Sequence, residues 1–467
     1  MLPFIEYLRQ FGRFSRNARL YLMNNVLSGI TTGILLLLYN LYLFSLGYGA
    51  DFIGLALFVA TIGAGIAIFP AGICVDRYSN KAILIWSNLL IGAAGIGQIL
   101  FRQPWPLLIS GFIAGMAYAF ILVINAPFLV RNSDSAERPH LFSVNIVLIL
   151  ITSVIGSVLG GALPLWFRAT PWLMSPLPTG IGWLLAAQPV PRSYQLSLLF
   201  AGVIAAPSFI PLFMLREPAR TRNTGGMEPG QTQGIEAQDA EQGQDAGHQP
   251  GQPQGIASTM HEPFFVHGRG ILRGYPGSKI RVRTILHNPI YVFSLVQVFI
   301  GAGAGLFINY FNLYFVNYLK ASSAFFGVLN GGTIAIAALL TLTAPWLAQR
   351  IGRVNTIVLT QLASIPLLVT LGLTTYLPLA ALCFLFRQGF MDMSNGIFQV
   401  FSMEAVPEEH RGIANSSYQV AFQVPWALTA PLGGLLIANV GYTPIFVGAA
   451  VCYLLAIGTL WGNYGQR

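Results

Sequence analysis

Two strings in this 467-residue chain are near copies of each other: YNLYLF at Tyr39–Phe44 and YFNLYF at Tyr310–Phe315. Their shared asparagines, Asn40 and Asn312, stand 272 positions apart, each inside a strongly apolar segment. The likeness continues: YNLYLFSLGYGADFIGL aligns with YFNLYFVNYLKASSAFFGVL across one insertion. Further on, GICVDRYSNK (Gly72–Lys81) holds the same place as PWLAQRIGRV (Pro345–Val354). Phrases that recur once per half, in the same order, mark an internal duplication.

Composition says where those halves reside. Hydrophobic residues make up 54% of the chain and charged residues 9%, whereas a soluble domain carries about a quarter charged residues. Apolar runs fall near 20–46, 52–74, 82–101, 105–130, 141–166 and 195–215, then 290–318, 323–343, 354–375, 377–402, 413–438 and 443–463. Each is long enough to cross a bilayer as a helix. Backbone groups in lipid must be satisfied within the segment, and a barrel would alternate apolar with polar residues. The expected fold is therefore an all-α polytopic membrane protein, with 12 transmembrane helices in two pseudo-symmetric six-helix bundles. Prolines within spans (Pro127, Pro207, Pro211, Pro366, Pro425, Pro431) are tolerated there. The basic lead-in of Met1–Leu20 and the length of the first apolar run do not fit a cleavable signal. The three cysteines (Cys74, Cys383, Cys452) fall in or beside different spans and suggest neither a disulfide framework nor a metal site.

The net charge of +9 is topological. With the N-terminus in the cytoplasm, twenty Lys and Arg fall on the cytoplasmic side, four outside (Arg102, Arg168, Arg192, Lys320) and one inside a helix, Arg387. That bias puts both termini in the cytoplasm and argues against a nucleic-acid partner, and the compact loops suit a plasma membrane. Residues 1–215 and 290–467 form the two bundles. Residues 216–289 form a central cytoplasmic loop whose Gly-, Gln- and acid-rich middle cannot bury enough to fold.

GICVDRYSNK resembles the signature loop of the major facilitator superfamily, Gly-x-x-x-Asp-Arg-x-Gly-Arg-Lys. Gly72, Asp76, Arg77 and Lys81 match, and Ser79-Asn80 replaces the usual Gly-Arg. The second copy keeps Arg350, Gly352 and Arg353 but has Gln349 where the acid would be. The resemblance implies alternating access by two rocking halves, with a substrate cavity between them. It also implies a cytoplasmic gate in which Asp76 sits against the start of span eleven near Gly412, backed by Arg350, Arg353, Glu404 and Arg411. A carboxylate at a helix N-terminus meets free amides and a favourable dipole. The plainer reading is a set of charges that fix topology. In the first half, Arg131 falls where Glu404 does.

Span ten holds the expected functional centre. In FRQGFMDMSNGIFQ, the residues Gln388, Asp392, Asn395 and Gln399 fall at i, i+4, i+7 and i+11, on one helical face. Asp392 lies twelve residues from Glu404, about 18 Å along a helix and near mid-membrane. Arg387 lies about 140° around from it. Intramembrane charges are costly and usually functional, so Asp392 is expected to exchange a proton or bind a cationic group, with Arg387 tuning it. The alternative is an ion pair that fixes span ten to a neighbour. Asn415, Gln419 and Gln423 of span eleven, and Asn25, Ser28 and Thr32 of span one, are weaker polar faces. Asn40, Tyr42, Asn312 and Tyr314 are expected to line the cavity, against the plainer reading of an interfacial aromatic belt.

These residues suit a proton-coupled exporter of a small amphipathic or cationic solute, acting as a monomer without cofactors. An importer, uniporter or lipid transporter fits the same scaffold, and a ligand-sensing receptor without turnover is the reading from another class. TSVIGSVLGGALP (Thr152–Pro164) partly resembles the span-five motif of drug–proton antiporters. It lacks that motif's central proline, and SGFIAGMAYAF (Ser110–Phe120) lacks that branch's span-four arginine.

Overall fold

Twelve long helical segments build the computed structural model, which describes residues 14–134, 137–176, 182, 184–216 and 288–465. The first half holds α1 (Arg16–Ser45), α2 (Ala50–Arg77), α3 (Asn80–Leu100), α4 (Pro104–Arg131), α5 (Arg138–Arg168) and α6 (Pro189–Ala205). A 3₁₀ turn at Ala206–Ser208 carries α6 on into Phe209–Phe213. The second half holds α7 (Pro289–Phe307), α8 (Ser323–Ile351), α9 (Arg353–Leu373), α10 (Leu377–Glu404), α11 (Arg411–Asn439) and α12 (Thr443–Tyr464). No strand occurs among the described residues. The central loop lies outside them except at its edges.

Eleven of these segments are long and apolar enough to cross a membrane. The exception is α10, which has the length (28 residues) but carries Arg387, Gln388, Asp392, Asn395 and Gln399. Its polar face is what the expectation of twelve apolar spans understated. It is accommodated because α10 packs between α8 and α9.

Helix neighbours repeat between the halves. The pairs α1–α5, α2–α4 and α3–α4 match α7–α11, α8–α10 and α9–α10, and across the halves α2 packs on α11 as α5 packs on α8. The duplicated phrases lie where α1 meets the segment that continues α7 through Ile308–Tyr318. Asn40 Nδ2 donates to Asn309 O at 2.7 Å, and Asn312 Nδ2 donates to Leu37 O at 3.0 Å. Each asparagine thus bonds the carbonyl three residues before its counterpart. Both helices therefore cross at their C-terminal ends, and their N-termini share the opposite, terminal end of the molecule. Tyr464 of α12 stacks on Phe293 in the first turns of α7, so the chain's last helix finishes at that end too.

The far end is sealed by small residues. LGG occurs at Leu159–Gly161 in α5 and again at Leu432–Gly434 in α11. A Cβ on Gly161 would lie 2.5 Å from Ser323 O and 3.0 Å from Gly327 Cα, and one on Gly434 would collide with Ala50 O. Ser323 Oγ donates to Gly161 O at 2.8 Å, and Asn330 Nδ2 to Ser157 Oγ at 3.1 Å. Small residues let membrane helices approach closely enough for such bonds.

The terminal end is open. On α11, Asn415, Gln419 and Gln423 are exposed, while Ala427, Ala430 and Gly434 further along the same face are buried. On α5, Ile146, Ile149 and Leu150 are exposed, and Ser157, Gly160 and Gly161 on that face are buried. Gly72, Gly396 and Gly412 have open space where a side chain would sit. The halves therefore enclose a wedge that widens toward the terminal end.

Candidate functional site

The polar face of α10 runs down this wedge. Gln388 and Asp392 are half-buried, and Asn395 and Gln399, nearer the terminal end, are exposed. Gln361 Nε2 of α9 reaches Ser394 Oγ at 3.3 Å and helps fix the helix from behind. Gln388 Nε2 donates to both carboxylate oxygens of Asp392, at 3.0 and 3.1 Å. Its Oε1 accepts from Arg387 Nη1 at 2.8 Å. Arg387 and Asp392 are thus joined through an amide rather than directly, as their angular separation on the helix requires.

Arg387 is 1% exposed. Its Nη2 donates to Tyr453 Oη of α12 at 2.9 Å, and its guanidinium lies over the rings of Phe307 (4.7 Å) and Tyr453 (5.5 Å). The aromatic faces compensate a desolvated cation. One side of the network is therefore anchored in the second half's core, and its carboxylate end faces the wedge. Gln419, with Asn415 and Gln423, presents amides from α11 on the exposed face described above.

The faces that α4 and α5 of the first half expose are mainly apolar. Tyr118 and Leu122 of α4 are exposed, about 220° around the helix from the exposed Trp105 and Ile109 respectively. They join Ile146, Ile149 and Leu150 of α5. Deeper polar groups of the first half bond among themselves: Asn25 Nδ2 to Asn145 Oδ1 at 2.7 Å, and Tyr21 Oη to Asn125 Oδ1 at 2.9 Å. Asn125 and Asn145 escaped the sequence reading because each is a lone amide in an apolar run.

Asn40, Tyr42, Asn312 and Tyr314, expected to line the cavity, stand at the closed far end in this form of the protein. All four are buried. The asparagines clasp α1 to α7, while Tyr42 Oη donates to Ile99 O of α3 at 2.7 Å and Tyr314 Oη donates to Leu371 O of α9. Polar groups in lipid seek the nearest carbonyl, and here that carbonyl belongs to a neighbouring helix.

The expected gate residues separate into two groups. In the first half, Lys81 Nζ donates to Phe213 O (2.7 Å) and Leu215 O (2.8 Å), capping the chain end of α6, and Arg131 Nη1 donates to Asn80 Oδ1 at 3.2 Å. Ser79 caps α3 by accepting from Ala82 N at 3.2 Å. Its counterpart Gly352 needs φ +87°, which explains why the second copy keeps glycine there. In the second half, Arg353 pairs with Glu404, Arg411 Nε donates to Met403 O at 3.1 Å, and Arg350 lies 4.4 Å over the Trp346 ring. Arg77 is exposed, Gly72 has open surroundings, and the side chain of Asp76 lies outside the described residues. The bonds named here stay within one half each.

Comparison with known proteins places this geometry. The family model described as Major Facilitator Superfamily matches residues 21–296 and 293–464. A Bacillus subtilis (strain 168) protein named an uncharacterized MFS-type transporter, YfkF, is 31% identical over 134 residues. That match spans 28% of this chain and a third (33%) of the relative's length. Among solved structures, a bacterial homologue of the iron transporter ferroportin, in an inward-facing state, aligns with TM-score 0.67 at 15% identity, covering 96% of this chain and 98% of that one. A bacterial homolog of the human lysosomal transporter Spinster, inward-facing and occupied, gives TM-score 0.67 at 12% identity, covering 96% of each chain. A D-xylose–proton symporter gives 0.65 at 15%, covering 96% and 97%.

Proposed function

This chain belongs to the major facilitator superfamily, and we propose that it is a secondary active transporter that exports a small organic solute in exchange for protons. It is a transporter and not an enzyme. The observation that carries the reading is the arrangement of the wedge. The far end is closed by reciprocal contacts, and the terminal end opens onto one half-buried carboxylate. Placing the terminal end in the cytoplasm, as the distribution of basic residues suggests, makes this the inward-open form. Rocking about the α2–α11 and α5–α8 seams would expose the site to the other face.

In this reading Asp392 alternates between a proton and the solute's cationic group. Gln388 holds the carboxylate, and Arg387 supplies a fixed positive charge behind it. Asn395, Gln399 and Gln419 meet polar parts of the solute, and the apolar wall of α4 and α5 meets the rest. The solute is therefore amphipathic, with its cation toward α10. The protein acts as a monomer in the plasma membrane, with both termini cytoplasmic.

The test uses the full chain in liposomes with an imposed pH gradient and a panel of organic cations, sugars and nucleosides. Asp392→Asn is expected to abolish gradient-driven flux and to weaken gradient-free exchange of cationic solutes, since the amide neither takes up the proton nor pairs with the cation. Unchanged driven flux would remove Asp392 from the mechanism. Solute moving with protons in the same direction would convert the reading to symport, the mode named for the D-xylose–proton symporter.

A further inference from the structure

Both signature loops end in the same construction with different chemistry. In the second half, Arg353 is the first residue of α9, Glu404 is the last of α10, and the two form an ion pair. In the first half, Asn80 is the first residue of α3, Arg131 is the last of α4, and Arg131 donates to Asn80 Oδ1 at 3.2 Å. The helices have equal lengths: α3 and α9 are 21 residues each, α4 and α10 are 28. The two pairs thus occupy equivalent places in the duplicated halves. The cation has moved from the start of one helix to the end of the other, and the acid has become an amide.

We propose that Asn80 and Arg131 are a compensated latch, a positioning pair that holds the α2–α3 turn against the end of α4. It does for the first half what Arg353 and Glu404 do for the second. Held this way, the stretch from Gly72 to Arg77 keeps a fixed relation to its own half when the halves close. That last step rests on the alternating-access reading above.

Helix-end electrostatics make the two latches unequal. A helix C-terminus favours a cation and an N-terminus an anion. Arg131 stands at a favoured end and keeps that advantage without Asn80. Arg353 and Glu404 each stand at a disfavoured end, so each depends on the other. Asn80→Arg would set a second guanidinium at a helix N-terminus, facing Arg131. Arg131→Glu alone would put a carboxylate at the wrong helix end, opposite an amide. The two changes together rebuild the second half's arrangement.

The experiment uses the full chain in nanodiscs, with Cys74, Cys383 and Cys452 replaced and Gln419→Cys as reporter of the open terminal end. Two quantities are read: the rate of labelling by a bulky polar maleimide, and the melting temperature. Asn80→Arg is expected to raise the labelling rate by about fivefold, the upper range for an exposed charge interaction, and to lower the melting temperature. Asn80→Arg/Arg131→Glu is expected to restore both. Asn80→Ala should change the rate less than about twofold, and Arg353→Ala should change it more, because it breaks the ion pair and strands Glu404 at a helix C-terminus. Should Asn80→Arg fail to assemble, Asn80→Asp decides: a carboxylate facing Arg131 is expected to slow labelling and raise the melting temperature. An Asn80→Arg protein that labels and melts as the parent, or a double variant no better than the single, overturns the latch. Melting temperatures that show rescue while labelling stays constant in every variant overturn the gating role and leave alternating access to be judged by the flux assay.

Discussion

Gln388 is the residue through which Arg387 and Asp392 act on each other, because it accepts from one and donates to both oxygens of the other. An amide between two charges polarises with both and spaces them, which keeps the carboxylate from collapsing onto the guanidinium. Arg387→Ala would remove a desolvated cation from two rings and two hydrogen bonds. It is expected to destabilise the protein by about 3–5 kcal/mol, the range for breaking a buried charged network, as read by thermal melting in detergent. Asn40→Ala should weaken the far-end clasp by about 0.6 kcal/mol, or threefold in the closed population, the average for a hydrogen bond between membrane helices. Spin-label distances across the far end measure this, and Asn312→Ala should act equally. The polar face of α10 was legible because its four polar residues recur at helical spacing. The roles of Asn40 and Asn312 were not. An asparagine in an apolar run fits a cavity wall or a clasp equally well, and its acceptor lies some 270 residues away in the chain.

At the scale of elements, the duplicated first spans differ in how they end. α1 is continuous through Ser45, whereas the segment after α7 passes through a 3₁₀ turn at Ile308–Tyr310 and a π turn at Tyr314–Tyr318. Departures from α geometry often mark places where a helix adapts to a neighbour or moves. The glycine seams make the sharper prediction. Gly434→Leu would place a side chain where Ala50 O now stands, and Gly161→Leu would strike α8. Each is expected to spring the far end open, so that a cysteine at Asn330 becomes reactive to a polar thiol reagent in an intact protein. Unchanged protection would mean that the seams are not what closes this end. The duplication was readable from its polar phrases. The glycines of Thr152–Pro164 stood out, but their LGG counterpart in α11 did not, because small residues carry no chemical signature beyond packing, and only the packing reveals what they touch.

For the whole molecule, the unequal walls of the wedge predict discrimination by charge at constant shape. Tetraphenylphosphonium and tetraphenylborate differ in little else. The cation is expected to protect the purified protein against heating, the anion is not, and Asp392→Asn should remove the difference. Equal protection by both ions would leave only a greasy cleft. The six-plus-six plan was legible because spans and basic loops are properties of composition. Which end stood open was not, since one sequence serves every stage of the cycle. Among the twelve long helices, α10 is the one too polar to rank with the other eleven. A charge at the centre of an inserting helix costs about 3 kcal/mol on translocon scales, and α10 carries two, Arg387 and Asp392. Nascent α10 should therefore leave the translocon reluctantly, waiting beside it until Phe307 and, later, Tyr453 offer the arginine shelter. Biogenesis of the second half then becomes a concerted event that ends with α12.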